Sequence, residues 1–438
     1  MLSVNQWRAF TARCVFLFFA AGTYKSCGVL VNNTVSDLNT NYIIVAWAFS
    51  LQIGTCYLIA PVVHVLLNVT NGRILTLLGG ILLALVYVLQ GGIRLTSTWQ
   101  LFGLLISSGI GLGLINMTTV VPLKDYFGKE DYLMAYLMST FSNNVGVALL
   151  PLLLEHLISI FGYQIGKFAY GFVTSGAIII SLIIPSPKPA TLNDEFSDTE
   201  VKPEEKETLP LIDEDSQLQS SCDDTNKFLE YAQLVYELFK CHPDFFFLLL
   251  TAVFNDVQYT TWSMFLVPYG EFFQLPSETA VLLSTFGGVS GIFGRAFAVC
   301  LIYFEIHNVI ILFGLPSFLV TIAYLISLFF GDFVSLALVS CLSGFGISMH
   351  LGLSYSMPPL TVCEHHMNTA VVLTFMAGGI FYQLGAVIAG TIAEVTGSLR
   401  YTFAWLAGWG LLEIIIVVIW SCLSFSKSVC NYHIKGKK

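Results

Sequence analysis

Six titratable residues lie inside long apolar stretches of the chain, where a charge is costly unless it faces a partner or a polar cavity. They are Lys25, Asp256, Arg295, His350 and Glu413, with His64 nearer to the end of its stretch. Two cations near one cavity favour an anionic substrate, and a guanidinium suits a carboxylate because it donates two parallel hydrogen bonds. Lys25 and Arg295 are therefore the candidate substrate-binding residues.

Asp256 and His350 are the candidate proton-coupling residues, and each has an alternative role. Asp256 could bind a cation or a proton, or it could be a permanent salt-bridge partner of Arg295 or Lys25. His350 could relay protons, as histidine side chains do in other proteins. Its alternative is a packing role with hydrogen bonds. For Glu413 we expect a structural role, through a hydrogen bond or as a protonated carboxyl.

Membrane-spanning helices must position these residues. A span needs about 20 mostly apolar residues, and twelve such stretches follow one another along the chain. We therefore predict an all-α polytopic membrane protein. The predicted spans are 10–32, 42–66, 74–95, 99–122, 132–153, 165–185, 243–269, 278–302, 307–330, 333–357, 367–395 and 401–425.

The charge distribution divides the chain into three parts. Of 438 residues, 55% are hydrophobic and 11% are charged, whereas an average soluble protein has about 25% charged residues. This composition argues against a soluble enzyme and against a disordered chain. Residues 186–226 hold 12 Asp/Glu and 3 Lys, so the net charge of −9 arises there. The remainder is neutral and offers no basic surface for nucleic acid.

Three domains are predicted from these patterns. A six-helix bundle is expected at 1–185, an acidic cytoplasmic linker at 186–242 and a second six-helix bundle with a short cytoplasmic tail at 243–438. The linker is expected to be partly disordered, with a short helix over 227–240. Two six-helix repeats joined by such a linker resemble the major facilitator superfamily, in which two repeats rock around a midplane site.

The loop charges predict that both termini are cytoplasmic. In that orientation 14 Lys and Arg residues, Arg13 among them, lie on the cytoplasmic side and three lie outside, in agreement with the positive-inside rule. We expect a multi-pass protein of the plasma membrane. Glu207, Leu211 and Ile212 form an acidic dileucine pattern in the linker, so an endosomal or lysosomal membrane is the alternative.

Glycines recur inside several spans. Gly109 and Gly113 lie in the fourth span, Gly287 and Gly291 in the eighth and Gly390 in the eleventh. Because small residues let helices approach closely, we expect these glycines to pack helices and to let them slide in a transporter. A nucleotide loop would need a preceding strand, whereas the Gly109 stretch lies within an apolar span.

Motifs for enzymes, cofactors and metals are absent from the sequence. The ten cysteines are scattered and form no CxxC pair, so neither a disulfide framework nor a zinc site is indicated. No HExxH, GxSxG or Ser/His/Asp set stands out. We therefore predict neither an enzyme nor a cofactor-binding protein.

Three stretches share short motifs with a known family. The first span contains Lys25-Ser26-Cys27-Gly28, similar to a Lys-Ser-x-Gly stretch of that family. Gly294-Arg295 is similar to its Gly-Arg or Ala-Arg pair, and the longest block lies at 384–408. The stretches resemble the monocarboxylate transporters, solute carrier family 16. The resemblance consists of short motifs that are spread over nearly the whole chain. The resemblance implies a major facilitator fold with Lys25 and Arg295 at carboxylate-engaging positions.

Two departures from that family bear on the mechanism. Its acidic-Gly-x-Trp-x-Trp signature before the first span is missing, and only Trp7 stands nearby. Its proton-linked members carry an Asp four residues before the arginine of the eighth span, where this chain has Gly291. The resemblance therefore implies carboxylate binding without the usual proton carrier, unless Asp256 replaces it.

The leading hypothesis is a secondary transporter of small organic anions such as monocarboxylates, working by alternating access and linked to protons if Asp256 carries them. The alternatives are an uncoupled facilitator of amino acids or other polar solutes, and a transporter-like sensor or scaffold. The expected partners are a small organic acid, protons and the lipid bilayer. Some members of the resembled family also need a single-span glycoprotein chaperone.

Overall fold

The computed structural model describes residues 3–185, 235–306, 308–363 and 366–435. Within these ranges the chain forms helices and turns and contains no strand. The helices are α1 (Val4–Asp37), α2 (Tyr42–Leu58), α3 (Ala60–Val69), α4 (Gly72–Gly92), α5 (Thr98–Ser139), α6 (Phe141–Phe161), α7 (Tyr163–Thr174), α8 (Ile180–Ile183), α9 (Pro243–Phe272), α10 (Ser277–Tyr303), α11 (Leu315–Phe329), α12 (Phe333–Ser356), α13 (Pro358–Thr361), α14 (Met367–Thr396) and α15 (Leu399–Lys435).

The predicted linker falls largely outside the described residues. Its dileucine pattern of Glu207, Leu211 and Ile212 lies there entirely, so a sorting role stays a prediction. Of the helix predicted over 227–240, residues 235–240 are described and are helical, as is residue 241. The side chain of His64 is also outside the described part of the chain.

Each of the twelve predicted spans corresponds to a helical segment. In the described residues, ten helical stretches are long and apolar enough to cross a bilayer, and the bent pair of α2 and α3 makes an eleventh. The one remaining predicted span, 243–269, is α9, which has 30 residues but a polar middle. Every residue from 251 to 270 is buried. Because α9 has protein on all sides there, its polar residues avoid the lipid.

Two boundaries differ from the prediction. The sequence predicts a loop between the fourth and fifth spans, but α5 is helical from Thr98 to Ser139 and contains Pro122. Charged residues do not interrupt a helix where it leaves the bilayer, since water can solvate them. The second predicted span breaks at Ile59, and α2 and α3 meet at 41°. Pro61 stands in the first turn of α3. It has no backbone N–H, so it cannot continue the hydrogen bonding of α2.

Close helix contacts hold the bundle together. Helices on the two sides of the undescribed linker meet where α1 packs on α9, α2 on α14 and α6 on α10. Gly109 and Gly113 of α5 lie against α2, Gly287 and Gly291 of α10 against neighbouring helices, and Gly390 of α14 against the start of α2. An added Cβ at each of these five glycines would lie 3.0 Å or less from a neighbouring atom. Whether these contacts slide stays a prediction.

Candidate functional site

A cavity of about 60 Å³ lies where helices from both sides of the linker converge. Residues of α1, α2, α5, α6, α9, α10, α12 and α14 form its wall. The described lining residues include Arg13, Arg295 and five tyrosines but no Asp or Glu. The tyrosines are Tyr57, Tyr136, Tyr259, Tyr355 and Tyr382. The wall is therefore aromatic, with hydroxyl groups and two positive charges.

Arg295 of α10 lines the cavity, and its side chain is 3% exposed. Its Nε has no hydrogen-bond partner, and the guanidinium forms no hydrogen bond or ion pair with another described residue. The guanidinium packs on the backbone of α12, where a Cβ at Gly352 would lie 2.9 Å from Nη1. Arg295 thus offers hydrogen-bond donors to a ligand in the cavity.

Arg13 is the second cation of this cavity, a role that the sequence did not predict. The helix begins at Val4 rather than near residue 10, so Arg13 lies inside α1 and is 2% exposed. Its Nη1 donates to Asn116 Oδ1 at 2.7 Å and to Thr119 Oγ1 at 3.2 Å. The polar residues Asn116 and Thr119 within the predicted fourth span were the available sequence signal. A charge near a predicted span end is easily assigned to the interface.

Lys25 does not line the cavity. It lies one helical turn beyond Ala21, which does line it. The Lys25 Nζ donates to the Trp262 carbonyl oxygen at 2.9 Å and lies 3.2 Å from the centroid of a Trp262 ring. The preceding residue, Tyr24, hydrogen-bonds to Thr260 through its hydroxyl. Lys25 is therefore buried in the contact between α1 and α9, and it has no acidic partner among the described residues.

Asp256 of α9 lies behind the tyrosines of the cavity wall. The Tyr355 hydroxyl donates to its Oδ2 at 3.0 Å, and Oδ1 has no hydrogen-bond partner. The residue is 1% exposed. Neither Lys25 nor Arg295 forms a salt bridge with it, so the permanent pair that the sequence left open is not formed in this structure. Tyr355 connects the buried carboxyl to the cavity.

His350 lies in a separate buried network rather than on the cavity wall. Its Nε2 is 2.8 Å from Glu413 Oε1, and its Nδ1 is 3.0 Å from Ser354 Oγ. The Gln258 amide donates to the other oxygen of Glu413. This network joins α12, α15 and α9. A proton-coupling role for His350 stays a prediction.

The space beside Gly291 is occupied by a polar pair from other helices. Ser348 Oγ of α12 donates to Asn144 Oδ1 of α6 at 2.8 Å. A Cβ on Gly291 would collide with Ser348 Oγ and would lie 2.8 Å from Asn144 Oδ1. An aspartate side chain at this position therefore has no room in the observed packing.

Polar contacts close the helix ends opposite the Arg13 end of α1. The Asn32 amide donates to Glu271 Oε2, which connects α1 to α9. The Tyr42 hydroxyl donates to Asn32 Oδ1 at 2.9 Å, and the Tyr42 backbone N–H donates to Glu394 Oε2 at 3.2 Å. These contacts, here called the outer lock, consist of Asn32, Tyr42, Glu271 and Glu394 and link α1 and α2 to α9 and α14.

Comparison with known proteins supports a transporter. A sequence profile described as Major Facilitator Superfamily matches residues 14–382. Monocarboxylate transporter 14 of Mus musculus is 24% identical over 174 residues, which are 40% of this chain and 33% of that protein. Monocarboxylate transporter 6 of Homo sapiens is 23% identical over 369 residues, 82% of this chain and 68% of that protein. The chain therefore spans about a third of the first relative and two thirds of the second.

Solved structures agree in fold. Tetrameric PepTSo2 aligns over 98% of this chain and 99% of that chain, with a TM-score of 0.65 and 15% identity. A bacterial homologue of the human lysosomal transporter Spinster, inward-facing and unoccupied, aligns over 95% and 96%, with a TM-score of 0.60 and 15% identity. At such identities these structures support the fold alone. The matched family and the relatives are transporters rather than enzymes, and the resemblance to monocarboxylate transporters agrees with relatives of 24% and 23% identity.

Proposed function

Because the chain belongs to the Major Facilitator Superfamily, we propose that it is a secondary transporter that moves small organic anions, such as monocarboxylates, by alternating access. One observation carries this proposal: Arg13 and Arg295 line a single cavity, and no acidic residue is among the described residues of its wall. Such a cavity attracts anions and repels cations.

Arg295 is the residue proposed to bind the carboxylate. Its guanidinium is free of protein hydrogen bonds within the described structure, so two of its N–H groups can engage both carboxylate oxygens. Arg13 contributes positive charge while Asn116 and Thr119 hold its guanidinium in place. The tyrosine rings and hydroxyls then contact the organic part of the solute.

Alternating access is proposed to arise from motion of the segment 1–185 against the segment 243–438. With cytoplasmic termini, the outer lock lies on the external side and the cavity lies toward the cytoplasm, which supports an inward-facing state. Opening outward requires that α1 and α9 separate at their outer ends. Lys25 would then leave the Trp262 carbonyl and become available to an entering anion.

Proton coupling is proposed to use Asp256. Its carboxyl is next to the cavity through Tyr355, whereas Gly291 lacks the acidic group of proton-linked relatives. Protonation would remove the cost of burying a charge that has no cation partner. Proton and anion would then cross together.

An uncoupled facilitator of aromatic amino acids is the second candidate, because the cavity wall is aromatic. The Tyr57 ring centroid lies 5.3 Å from that of Phe375 and 5.6 Å from that of Tyr382. The ammonium group of an amino acid would need an acidic partner, however, and Asp256 lies behind Tyr355. The organic anion is therefore the better fit.

Uptake by the purified chain in lipid vesicles tests the proposal. We expect saturable uptake of lactate, pyruvate or ketone bodies, reduced at least about tenfold in Arg295→Ala because a charge-assisted hydrogen bond contributes about 1.5–3 kcal/mol. Arg94→Ala changes an exposed arginine outside the cavity and serves as the control. Uptake of amino acids without organic acids would favour the second candidate. No flux of any solute would favour a sensor or scaffold.

The membrane and the accessory partner are proposed from the sequence and the family. We place the protein in the plasma membrane, with an endosomal or lysosomal membrane as the alternative. A single-span glycoprotein chaperone is a partner to test by co-expression. Microscopy of the full chain and of a Leu211→Ala, Ile212→Ala variant distinguishes the two membranes.

A further inference from the structure

We propose that His242, Cys363 and His366 form a binding site for Zn²⁺ at the end of the molecule that carries the Arg13 end of α1. One candidate ligand atom from each residue lies within 4.8 Å of the other two. In the sequence, Cys363 and His366 are only three residues apart, but His242 lies 121 residues from Cys363, so spacing alone does not reveal the complete site. Metal motifs are recognised by short spacings, whereas this cluster is assembled by helix packing.

Helix ends position the three side chains. His242 is the residue immediately before α9, and His366 is the residue immediately before α14. Cys363 lies in the connection between α13 and α14. The ring centroids of His242 and His366 are 5.8 Å apart at an interplanar angle of 72°. Two helix starts and one connection therefore converge on one point.

The tautomer of His242 suits a metal ligand. The Cys363 backbone N–H donates to His242 Nε2 at 3.4 Å, so this nitrogen presents a lone pair toward the connection. The proton of the neutral ring is then on Nδ1. A neutral imidazole binds metal ions through such a lone pair, which here accepts the Cys363 N–H. The long hydrogen bond can be exchanged for a metal bond with a small rotation of the ring.

The donor set selects the class of ion. One thiolate and two imidazoles favour Zn²⁺ over Mg²⁺ and Ca²⁺, which prefer oxygen ligands. Zinc binds such ligands tetrahedrally, with Zn–N of about 2.0–2.1 Å and Zn–S of about 2.3 Å. His366 is buried while Cys363 is exposed, so a rotation of the Cys363 side chain can close the site. A water would complete the fourth position, which makes the ion exchangeable.

Zinc at this site would restrain the cavity. The connection that it holds joins α12, which carries Tyr355, to α14, which carries Phe375, and both residues line the cavity wall. The third ligand, His242, fixes the start of α9. An ion would therefore tie three wall-forming helices together at one end, and transport should slow reversibly when zinc is added on that side.

Zinc binding to the full-length chain tests the site without any transport assay. Purified protein with its affinity tag removed is placed in lipid nanodiscs and titrated with Zn²⁺, with Co²⁺ as the spectroscopic probe. We expect one ion per chain and a thiolate-to-cobalt absorption band. Cys363→Ser should abolish the band, and His242→Gln should lower the affinity at least tenfold. Cys241→Ser removes a neighbouring exposed thiol and should change neither.

Two results would overturn the proposal. One is wild-type protein that shows no saturable Zn²⁺ binding or no thiolate band. The other is Cys363→Ser protein that binds Zn²⁺ as tightly as the wild type. Because Cys363 is exposed, its substitution by serine should leave the fold intact, and a thermal melt of each variant confirms this. The outcome is independent of the solute that the protein carries.

Discussion

Arg13 and Arg295 reach the cavity from α1 and α10, and their surroundings differ. Arg13 is held by Asn116 and Thr119, which both accept from its Nη1, while its Nε has no hydrogen-bond partner. Arg295 has no such partners in the described structure. A guanidinium that is hydrogen-bonded to protein supplies positive charge at a fixed position. A guanidinium without protein hydrogen bonds can donate hydrogen bonds to the solute. We therefore assign charge attraction to Arg13 and direct carboxylate binding to Arg295.

Arg13→Gln should raise the KM for anion uptake about tenfold, because removal of one cation near the bound carboxylate corresponds to about 1.4 kcal/mol. Arg13→Lys keeps the charge and should stay within a few-fold of the wild type. Uptake kinetics in vesicles measure both. Equal KM values for Arg13→Gln and the wild type would show that Arg13 is only structural.

Asp256→Asn should remove the stimulation of uptake by an inward proton gradient, because an amide cannot take up the proton. With wild-type protein, acidifying the outside should accelerate uptake, since the proton and the anion enter together. Tyr355→Phe removes the donor to Asp256 but keeps the carboxyl, so it should retain a gradient response. Uptake at two external pH values, with and without an ionophore, measures the effect. A wild-type protein that ignores the gradient would indicate facilitated diffusion.

At the level of helices, the central position of α9 allows many polar side chains to be buried inside a membrane protein. Its middle holds Asp256 and Gln258 and is surrounded by protein. Around it, α1 and α14 supply hydroxyl groups and small residues. A lipid-facing helix could not carry this many polar side chains, because each unsatisfied group costs several kcal/mol in hydrocarbon. A central helix can carry them, because protein rather than lipid surrounds it.

Gly291→Asp should destabilise the protein rather than restore proton coupling, because Asn144 and Ser348 occupy the space beside position 291. Overpacking of this kind costs about 1–3 kcal/mol. Gly408→Ala is the matched control, since an added Cβ there meets nothing within 4 Å. Thermal melts in detergent should show a lower Tm for Gly291→Asp only. A stable Gly291→Asp protein with increased proton dependence would contradict this reading.

For the whole molecule, the balance between states depends on contacts at opposite ends of the same helices. The outer lock holds α1 and α2 against α9 and α14, while the cavity lies toward the Arg13 end of α1. The contact of Lys25 with Trp262 lies between these two regions. Breaking the lock should therefore favour separation of the outer ends without altering the cavity wall.

Glu271→Ala should shift the population toward an outward-open state, because it removes the acceptor of the Asn32 amide. Spin labels at Ser36 and Glu278 should then report a longer distance. Ser277→Ala removes only a hydrogen bond to the other oxygen of Glu271 and should leave the distance unchanged. Identical distance distributions for Glu271→Ala and the wild type would exclude the lock.

The sequence by itself determined the class of protein. A span needs about 20 mostly apolar residues to cross the lipid, so each span is visible as a continuous apolar stretch of the sequence. Each of the twelve predicted spans corresponds to a helical segment. The short motif around Arg295 indicated the resemblance to monocarboxylate transporters for the same reason, since neighbouring residues carry it. The break of the second span at Ile59, next to Pro61, was not predicted from the sequence.

Only the tertiary structure decided which charges share a site. Arg13 and Arg295 line one wall, Lys25 is withdrawn from it, and Asp256 has a tyrosine rather than a cation as its partner. His242 and Cys363 meet although 121 residues separate them. Spacing along a helix fixes depth in the membrane, but the direction in which a side chain points depends on helix rotation and packing. Those are set by contacts between distant parts of the chain.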